Sequence, residues 1–84
     1  MEVVGDGFGR PAAVKFDSHG RLYLVDYLTG EVWQINTQTG KKRVLIQLTR
    51  HLDNLAFDSQ DHLFVSHGEK ANIYKIQPLK STDP

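Results

Sequence analysis

Apolar residues along this chain are gathered in short runs separated by turn-forming residues. In the first half the runs lie in AAVKF, RLYLVD, EVWQIN and KKRVLIQL, with Asp, Asn, Ser, Thr and Gly between them. β-branched and aromatic residues fill the runs, and no stretch has a helical period. The pattern predicts an all-β chain in which each run is one strand, labelled A to D, of an antiparallel meander.

The second half of the chain repeats the first at a spacing of 41 residues. Residues 13–36 align without a gap with residues 54–77, and the tripeptide FDS occurs at 16–18 and again at 57–59. Conservative pairs such as LYLV and LFV occupy equivalent positions. A repeat of this length predicts two copies of one structural unit.

Each unit has the properties of a propeller blade. The runs LYLV and LFV are continuously apolar, which indicates burial on both faces of a sheet. A four-stranded meander of about 40 residues buried on both faces is typical of a β-propeller blade. We assign residues 10–48 to blade one, 51–77 to strands A to C of blade two, and 78–84 to a tail.

Two blades that pack on each other still leave one apolar face of each uncovered. In the repeat register Val3 and Val4 fall at the position of strand D, so residues 1–6 would be strand D of a preceding blade. The C-terminal QPLKSTDP is a poor strand D because of its two prolines. We therefore expect the N-terminal strand, with Glu2, Val3 and Val4, to complete the last blade of a neighbouring copy. Such a head-to-tail contact closes into a ring or continues as a filament.

Composition limits the classes of function. The 84 residues make a single domain, contain no cysteine, and carry ten acidic and ten basic side chains. The absence of net charge argues against nucleic acid as a partner. No apolar run is long enough for a membrane span and no signal segment follows Met1. We expect a soluble, cytoplasmic protein without a membrane partner.

The segments RPAAVKFDSHGRLYLVDYLTGEVWQIN and HLDNLAFDSQDHLFVSHGEKANIYKIQ resemble blades of the NHL-repeat and SMP-30/gluconolactonase/strictosidine-synthase-like six-bladed propellers. The resemblance implies a homotrimer, because three chains of two blades make six. It does not define an activity, since such blades serve hydrolases, lyases and binding scaffolds.

In the SMP-30-like enzymes a divalent cation, usually calcium, sits at the top of the central channel. The positions that match its ligands by resemblance are Asp26, Asp53, Asn54 and His67. No glutamate matches the family's glutamate ligand. The alternative for Asp26 is that its carboxylate caps the following turn. Both interpretations stay open at the level of sequence.

The loops on the same side of the propeller would form a polar rim over the axis. They supply the candidate ligand-binding residues Arg10, Tyr27, Arg50, His51 and Glu69. We expect a self-assembling binding or scaffold protein for a small molecule, cation or partner, rather than an enzyme. The alternatives are a metal-dependent, lactonase-like hydrolase and a fragment of a longer propeller chain.

Overall fold

The computed structural model describes residues 3–76, which form seven β-strands and no helix. The strands are β1 (Pro11–Phe16), β2 (Leu22–Asp26), β3 (Glu31–Ile35), β4 (Lys42–Gln47), β5 (Leu52–Phe57), β6 (Leu63–His67) and β7 (Ile73–Ile76). The prediction of an all-β chain is confirmed. Within this range there is no helix of the length and apolarity that crossing a membrane requires.

The strands form two antiparallel meanders. The first sheet has the order β1-β2-β3-β4 and the second has the order β5-β6-β7. A bulge interrupts the β1–β2 register between Pro11 and Ala13, and another interrupts β5–β6 between Leu52 and Asn54, at positions 41 residues apart. The two sheets therefore share an irregularity of the backbone as well as a sequence repeat. The predicted tail, residues 78–84, and Glu2 lie outside the described residues.

The turns of the two sheets also correspond. Gly20 has a φ of 78° after β1, and Asp61 has a φ of 62° at the equivalent position after β5. Gly30 and Ala71 form a second such pair, with φ of 76° and 55°. Positive φ costs glycine little but costs residues with a Cβ atom more, so the second sheet keeps the turn shape of the first with less suitable residues.

Each sheet has two faces, which we name by the repeat. The leading face of the first sheet contains Ala13, Tyr23, Val25 and Val32, and its equivalents in the second sheet are Asn54, Phe64, Ser66 and Ile73. The trailing face of the first sheet contains Val14, Phe16, Leu22, Leu24, Trp33 and Ile35, and its equivalents are Leu55, Phe57, Leu63, Val65, Tyr74 and Ile76.

The larger core is the contact between the leading face of the first sheet and the trailing face of the second. Its buried residues include Tyr23, Val25 and Val32 from the first sheet and Leu55 and Val65 from the second. β1 lies next to β5, so the first strands of the two units are neighbours. The trailing face of the first sheet and the leading face of the second have no sheet packed on them within the described residues.

The segment before β1 covers part of the trailing face of the first sheet. Phe8 packs edge-on against Trp33, with 5.4 Å between ring centroids. The ammonium group of Lys42 lies over both rings, 4.4 Å from the centroid of Phe8, and donates a hydrogen bond to the carbonyl of Asp6. Val3 and Val4 are exposed and belong to no strand. Their proposed exchange into another copy stays a prediction.

Candidate functional site

Asp26 ends β2 and is completely buried. Its Oδ1 accepts hydrogen bonds from the amides of Leu28 and Thr29 in the following turn, at 3.0 and 3.1 Å. The amides of Arg10 and Gly9, in the connection before β1, donate to Oδ1 and Oδ2 at 3.0 and 2.7 Å. The carboxylate therefore joins the start of β1 to the β2–β3 turn.

These contacts set the charge state of Asp26. Burial raises the pKa of the carboxyl, but the amide hydrogen bonds, led by that of Arg10, outweigh burial and hold the pKa below its ordinary value. The close approach also explains why residue 9 is a glycine, because a Cβ atom there would lie 3.1 Å from Asp26 Oδ1. Asp26 has the contacts of a turn cap, and its role as a metal ligand stays a prediction.

His67 occupies the equivalent position at the end of β6 and is 4% exposed. Its Nδ1 accepts hydrogen bonds from the amides of Glu69 and Lys70, at 3.2 and 2.9 Å. A neutral ring whose Nδ1 accepts carries its proton on Nε2. That Nε2 is buried without a hydrogen-bond partner among the described residues. In this tautomer Nε2 is a donor, whereas a metal ligand needs a free lone pair.

The other two predicted metal ligands lie on β5. Asp53 and Asn54 are exposed, and Asn54 Oδ1 accepts a hydrogen bond from the amide of Leu55 at 2.8 Å. Within residues 3–76, Asp26, Asp53 and His67 do not form a group with ligand atoms close enough to hold one ion. Their convergence around a ring axis stays a prediction about an assembly.

Four of the five predicted rim residues lie together at the seam between the two sheets. The Arg10 guanidinium lies 5.4 Å from the centroid of the Tyr27 ring, and the Tyr27 and His51 rings are 4.8 Å apart. His51 Nδ1 is 3.1 Å from a carboxylate oxygen of Glu69, and the His51 and His67 rings meet edge to face at 6.3 Å. We call Arg10, Tyr27, His51, His67 and Glu69 the rim cluster.

Backbone hydrogen bonds fix the rim cluster. The Tyr27 amide donates to the Arg10 carbonyl at 2.8 Å, and the equivalent bond runs from the Gly68 amide to the His51 carbonyl at 2.9 Å. The His51 amide donates to the Tyr27 carbonyl, which ties one sheet to the other. His51 has a φ of 75°, a left-handed conformation that a histidine adopts less readily than glycine.

Arg50, the fifth predicted rim residue, contacts the backbone of the β2–β3 turn instead of the rim cluster. Its Nε donates a hydrogen bond to the Leu28 carbonyl at 3.0 Å, so it fastens the connection before β5 to the β2–β3 turn. Three members of the rim cluster, His51, His67 and Glu69, also line an open depression, together with residues that include Thr29, Thr49, Arg50 and Lys70. The rim cluster therefore brings a phenol ring, two imidazoles and two charged groups together at one end of the strands.

A second polar cluster, at the opposite ends of the strands, was not predicted. Asp17 is buried and accepts hydrogen bonds from Arg21 Nε at 2.7 Å and from the Tyr23 hydroxyl at 3.0 Å. The Gln34 amide group donates to the Tyr23 hydroxyl at 3.1 Å, and Arg43 Nε donates to the Gln34 carbonyl oxygen at 3.0 Å. A chain of hydrogen bonds thus runs from the β1–β2 turn across the first sheet.

Burial of the Asp17 carboxyl raises its pKa, but the hydrogen bonds from Arg21, Tyr23 and His19 lower the pKa below its ordinary value. Burial and the hydrogen bond to Asp17 raise the pKa of Tyr23 to about 12. The repetition of Asp17 as Asp58 was the signal in the sequence, and it indicated only a turn.

The same end of the structure holds a contact between the sheets. Asp61 accepts hydrogen bonds from the amide and the hydroxyl of Ser18, the amide at 3.1 Å, and lies 3.1 Å from Nδ1 of His19. We call this contact the Ser18–Asp61 clasp. Together with Asp17, His19 and Asp61 could approach a single cation, but the oxygens of both carboxylates already accept hydrogen bonds from the protein. The hydrogen bonds from Ser18 hold the pKa of Asp61 below its ordinary value.

A scan against models of protein families found no match for this chain, and a search of curated proteins found no relative.

Proposed function

We propose that this chain is a self-assembling β-propeller scaffold, whose copies join head to tail into a ring that binds a small polar ligand at its opening. The observation that carries the proposal concerns the two faces on which no sheet packs within the described residues. They are the trailing face of the first sheet and the leading face of the second, and each is the repeat equivalent of a face that is buried inside the chain. The trailing face of the first sheet is covered only in part, by the segment before β1, whose Phe8 packs with Trp33 against the buried Leu22, Leu24 and Ile35.

The exposure of apolar residues supports an interface on these faces. Val14 and Phe16 on the trailing face of the first sheet are 51% and 59% exposed, and Ile73 on the leading face of the second is 70% exposed. Large apolar side chains left exposed on the face of a sheet favour association or aggregation. Covering both faces with one type of contact gives every copy the same environment.

The ends of the sheets support strand exchange within such a ring. In the described residues β7 is an edge strand of the second sheet, and Val3 and Val4 belong to no strand. The ring of Phe8 contacts Trp33. The equivalent residues 41 positions later, Thr49 and Tyr74, are also in contact, with 3.3 Å between their hydroxyl oxygens. Phe8 therefore contacts the first sheet in the same way as Thr49, in the connection from β4 to β5, contacts the second. By this equivalence the segment before β1 is the connection that would follow the fourth strand of a preceding blade.

Ring size follows from the resemblance to six-bladed propellers, so we propose three chains. Each chain would bring one rim cluster to the opening, giving three sets of aromatic, imidazole and charged groups around one axis. Metal-dependent hydrolysis draws less support, because the oxygens of Asp26 and Nδ1 of His67 accept hydrogen bonds from backbone amides.

The test is the molar mass in solution, measured by sedimentation equilibrium over a hundredfold range of concentration. We expect the mass to reach that of three chains and to rise no further as the concentration increases. A monomer at all concentrations would overturn the proposal, and so would a mass that grows without limit, because neither is a closed ring.

A further inference from the structure

Two aromatic rings meet in the apolar core between the two sheets of one chain. Tyr23, on the leading face of the first sheet, packs against Phe57 on the trailing face of the second, with ring centroids 4.9 Å apart. The repeat equivalent of Tyr23 is Phe64, and the residue of the first sheet equivalent to Phe57 is Phe16. The same type of contact between two copies would therefore pair Phe64 with Phe16.

We infer that the joint between copies places Phe64 of one copy against Phe16 of the next and lacks the Ser18–Asp61 clasp. This inference rests on the proposed self-assembly and goes beyond it by naming the contacts of the joint. Phe16 is the more exposed of the two phenylalanines and lies on the part of the trailing face that the segment before β1 leaves exposed.

The surroundings of Phe64 fit an apolar side chain. A shallow depression on the leading face of the second sheet is lined by Ala56, Phe64 and Ile73, together with the polar side chains of Asn54 and Ser66. The equivalents of Asn54 and Ser66 in the buried core are Ala13 and Val25. The joint between copies is therefore more polar than the joint inside the chain, which favours association that remains reversible.

The clasp does not carry over to the joint between copies. The residue equivalent to Ser18 is Ser59, and the residue of the first sheet equivalent to Asp61 is Gly20, which has no side chain to accept a hydrogen bond. Both contacts therefore contain a pair of aromatic rings, but only the contact inside the chain contains the Asp61 carboxylate. We expect the joint between copies to open first.

Cysteine pairs test the geometry, because the chain contains no cysteine of its own. The test variant is Gly20→Cys with Ser59→Cys, at exposed turn positions. The matched control is Ser18→Cys with Asp61→Cys, the equivalent pair inside the chain. A Cβ at residue 20 meets no atom within 4 Å, but the φ of 78° strains a cysteine there, as the φ of 62° at residue 61 does in the control pair. Under mild oxidation we expect covalent links between chains in the test variant and links within single chains in the control, read on non-reducing gels.

Single variants and a phenylalanine variant complete the experiment. Gly20→Cys alone and Ser59→Cys alone should give at least tenfold less linked product than the pair, since identical faces do not meet in a head-to-tail joint. Phe16→Ser should raise the dissociation constant of the assembly at least tenfold while leaving the far-ultraviolet spectrum of the chain unchanged.

The outcomes separate this inference from the proposed function. Suppose that the unmodified chain forms closed rings and the control pair links normally, but the test pair links no faster than either single variant. The inferred contact between copies would then be wrong, and the proposed ring would be unaffected. Efficient linking by one single variant would also overturn the joint, because like faces would then be in contact. If the unmodified chain is a monomer, the proposed ring and the inferred contact between copies are both wrong.

Discussion

Asp26 and His67 cap the same turn of the repeat with different atoms. Oδ1 of Asp26 accepts from the amides two and three residues ahead, and Nδ1 of His67 accepts from the amides in the same two places. The carboxylate has a second oxygen for the connection before β1, where it accepts from Gly9. The imidazole has only an N–H left, and that N–H is buried without a partner among residues 3–76. The two caps therefore differ in what they hold rather than in where they lie.

Asp26→Asn should destabilise the fold. The amide group of asparagine would direct an N–H at one of the backbone donors that the carboxylate now accepts from, so we expect a loss of about 2 to 3 kcal/mol in the free energy of unfolding. Urea denaturation followed by tryptophan fluorescence measures it. Asp53→Asn, on an exposed carboxylate of β5, is the control and should stay within about 0.5 kcal/mol of the unmodified chain. Equal losses in the two variants would contradict the capping role.

Acid should weaken the fold through Asp17 and Asp26. Both have folded pKa values below the ordinary 3.8, so their contribution is complete above that value and is lost as the pH falls through the lower folded pKa. We expect the urea midpoint to fall steeply below about pH 4. In Asp26→Asn the fall should be shallower, since one of the carboxyls with a lowered folded pKa is gone. A midpoint independent of pH in this range would refute the assignment.

Gly30→Ala should cost much more than Gly40→Ala, although the two glycines have nearly the same φ, 76° and 78°. A Cβ at residue 30 would lie 2.5 Å from the Leu48 carbonyl oxygen, whereas one at residue 40 meets nothing within 4 Å. We expect about 1 to 2 kcal/mol for residue 40 from its backbone conformation alone, and about 3 kcal/mol or more for residue 30. Thermal unfolding of the two variants side by side measures the difference. Similar losses would show that the space around Gly30 does not limit it.

The hydroxyl of Tyr23 should ionise only at high pH. Burial and the hydrogen bond to Asp17 raise its pKa to about 12, so ultraviolet absorbance should show one of the three tyrosines ionising near that value. Tyr23→Phe should remove this component and leave the rest of the titration unchanged. Its persistence in the variant would assign the high pKa to a different tyrosine.

The Ser18–Asp61 clasp should couple the two sheets energetically. In a double-mutant cycle of Ser18→Ala and Asp61→Asn, the loss in the double variant should be smaller than the sum of the single losses, because either substitution alone breaks the same contact. Ser59→Ala, at the equivalent turn position of the second sheet, serves as the control and should be additive with Asp61→Asn. Additivity in both pairs would mean that the clasp contributes nothing to stability.

The sequence by itself determined the strands, the turns and the equivalence of the two units. These features depend on local chemistry: runs of β-branched and aromatic residues favour extended backbone, and Asp or Gly at fixed positions favours turns. The repeat register also determined which residues share a face, because side chains alternate along a strand and equivalent strands keep the same alternation. The rim residues Tyr27 and His51 were predicted only to lie at the same end of the strands, and the contact between their rings depends on how the two sheets pack.

Only the tertiary structure decided what each polar side chain holds. The amides of Gly9 and Arg10 reach Asp26 from 17 and 16 residues away, and Ser18 reaches Asp61 across 43 residues. Pairing of β1 with β2, in which Pro11 lies opposite Asp26, brings the amides of Gly9 and Arg10 to the carboxylate. Ser18 meets Asp61 only because the first sheet packs on the second through their apolar faces. Periodicity and turn signals describe a residue and its near neighbours, so they predicted where Asp17 and His67 would lie but not the hydrogen bonds of the Asp17 carboxylate or the unpartnered Nε2 of His67.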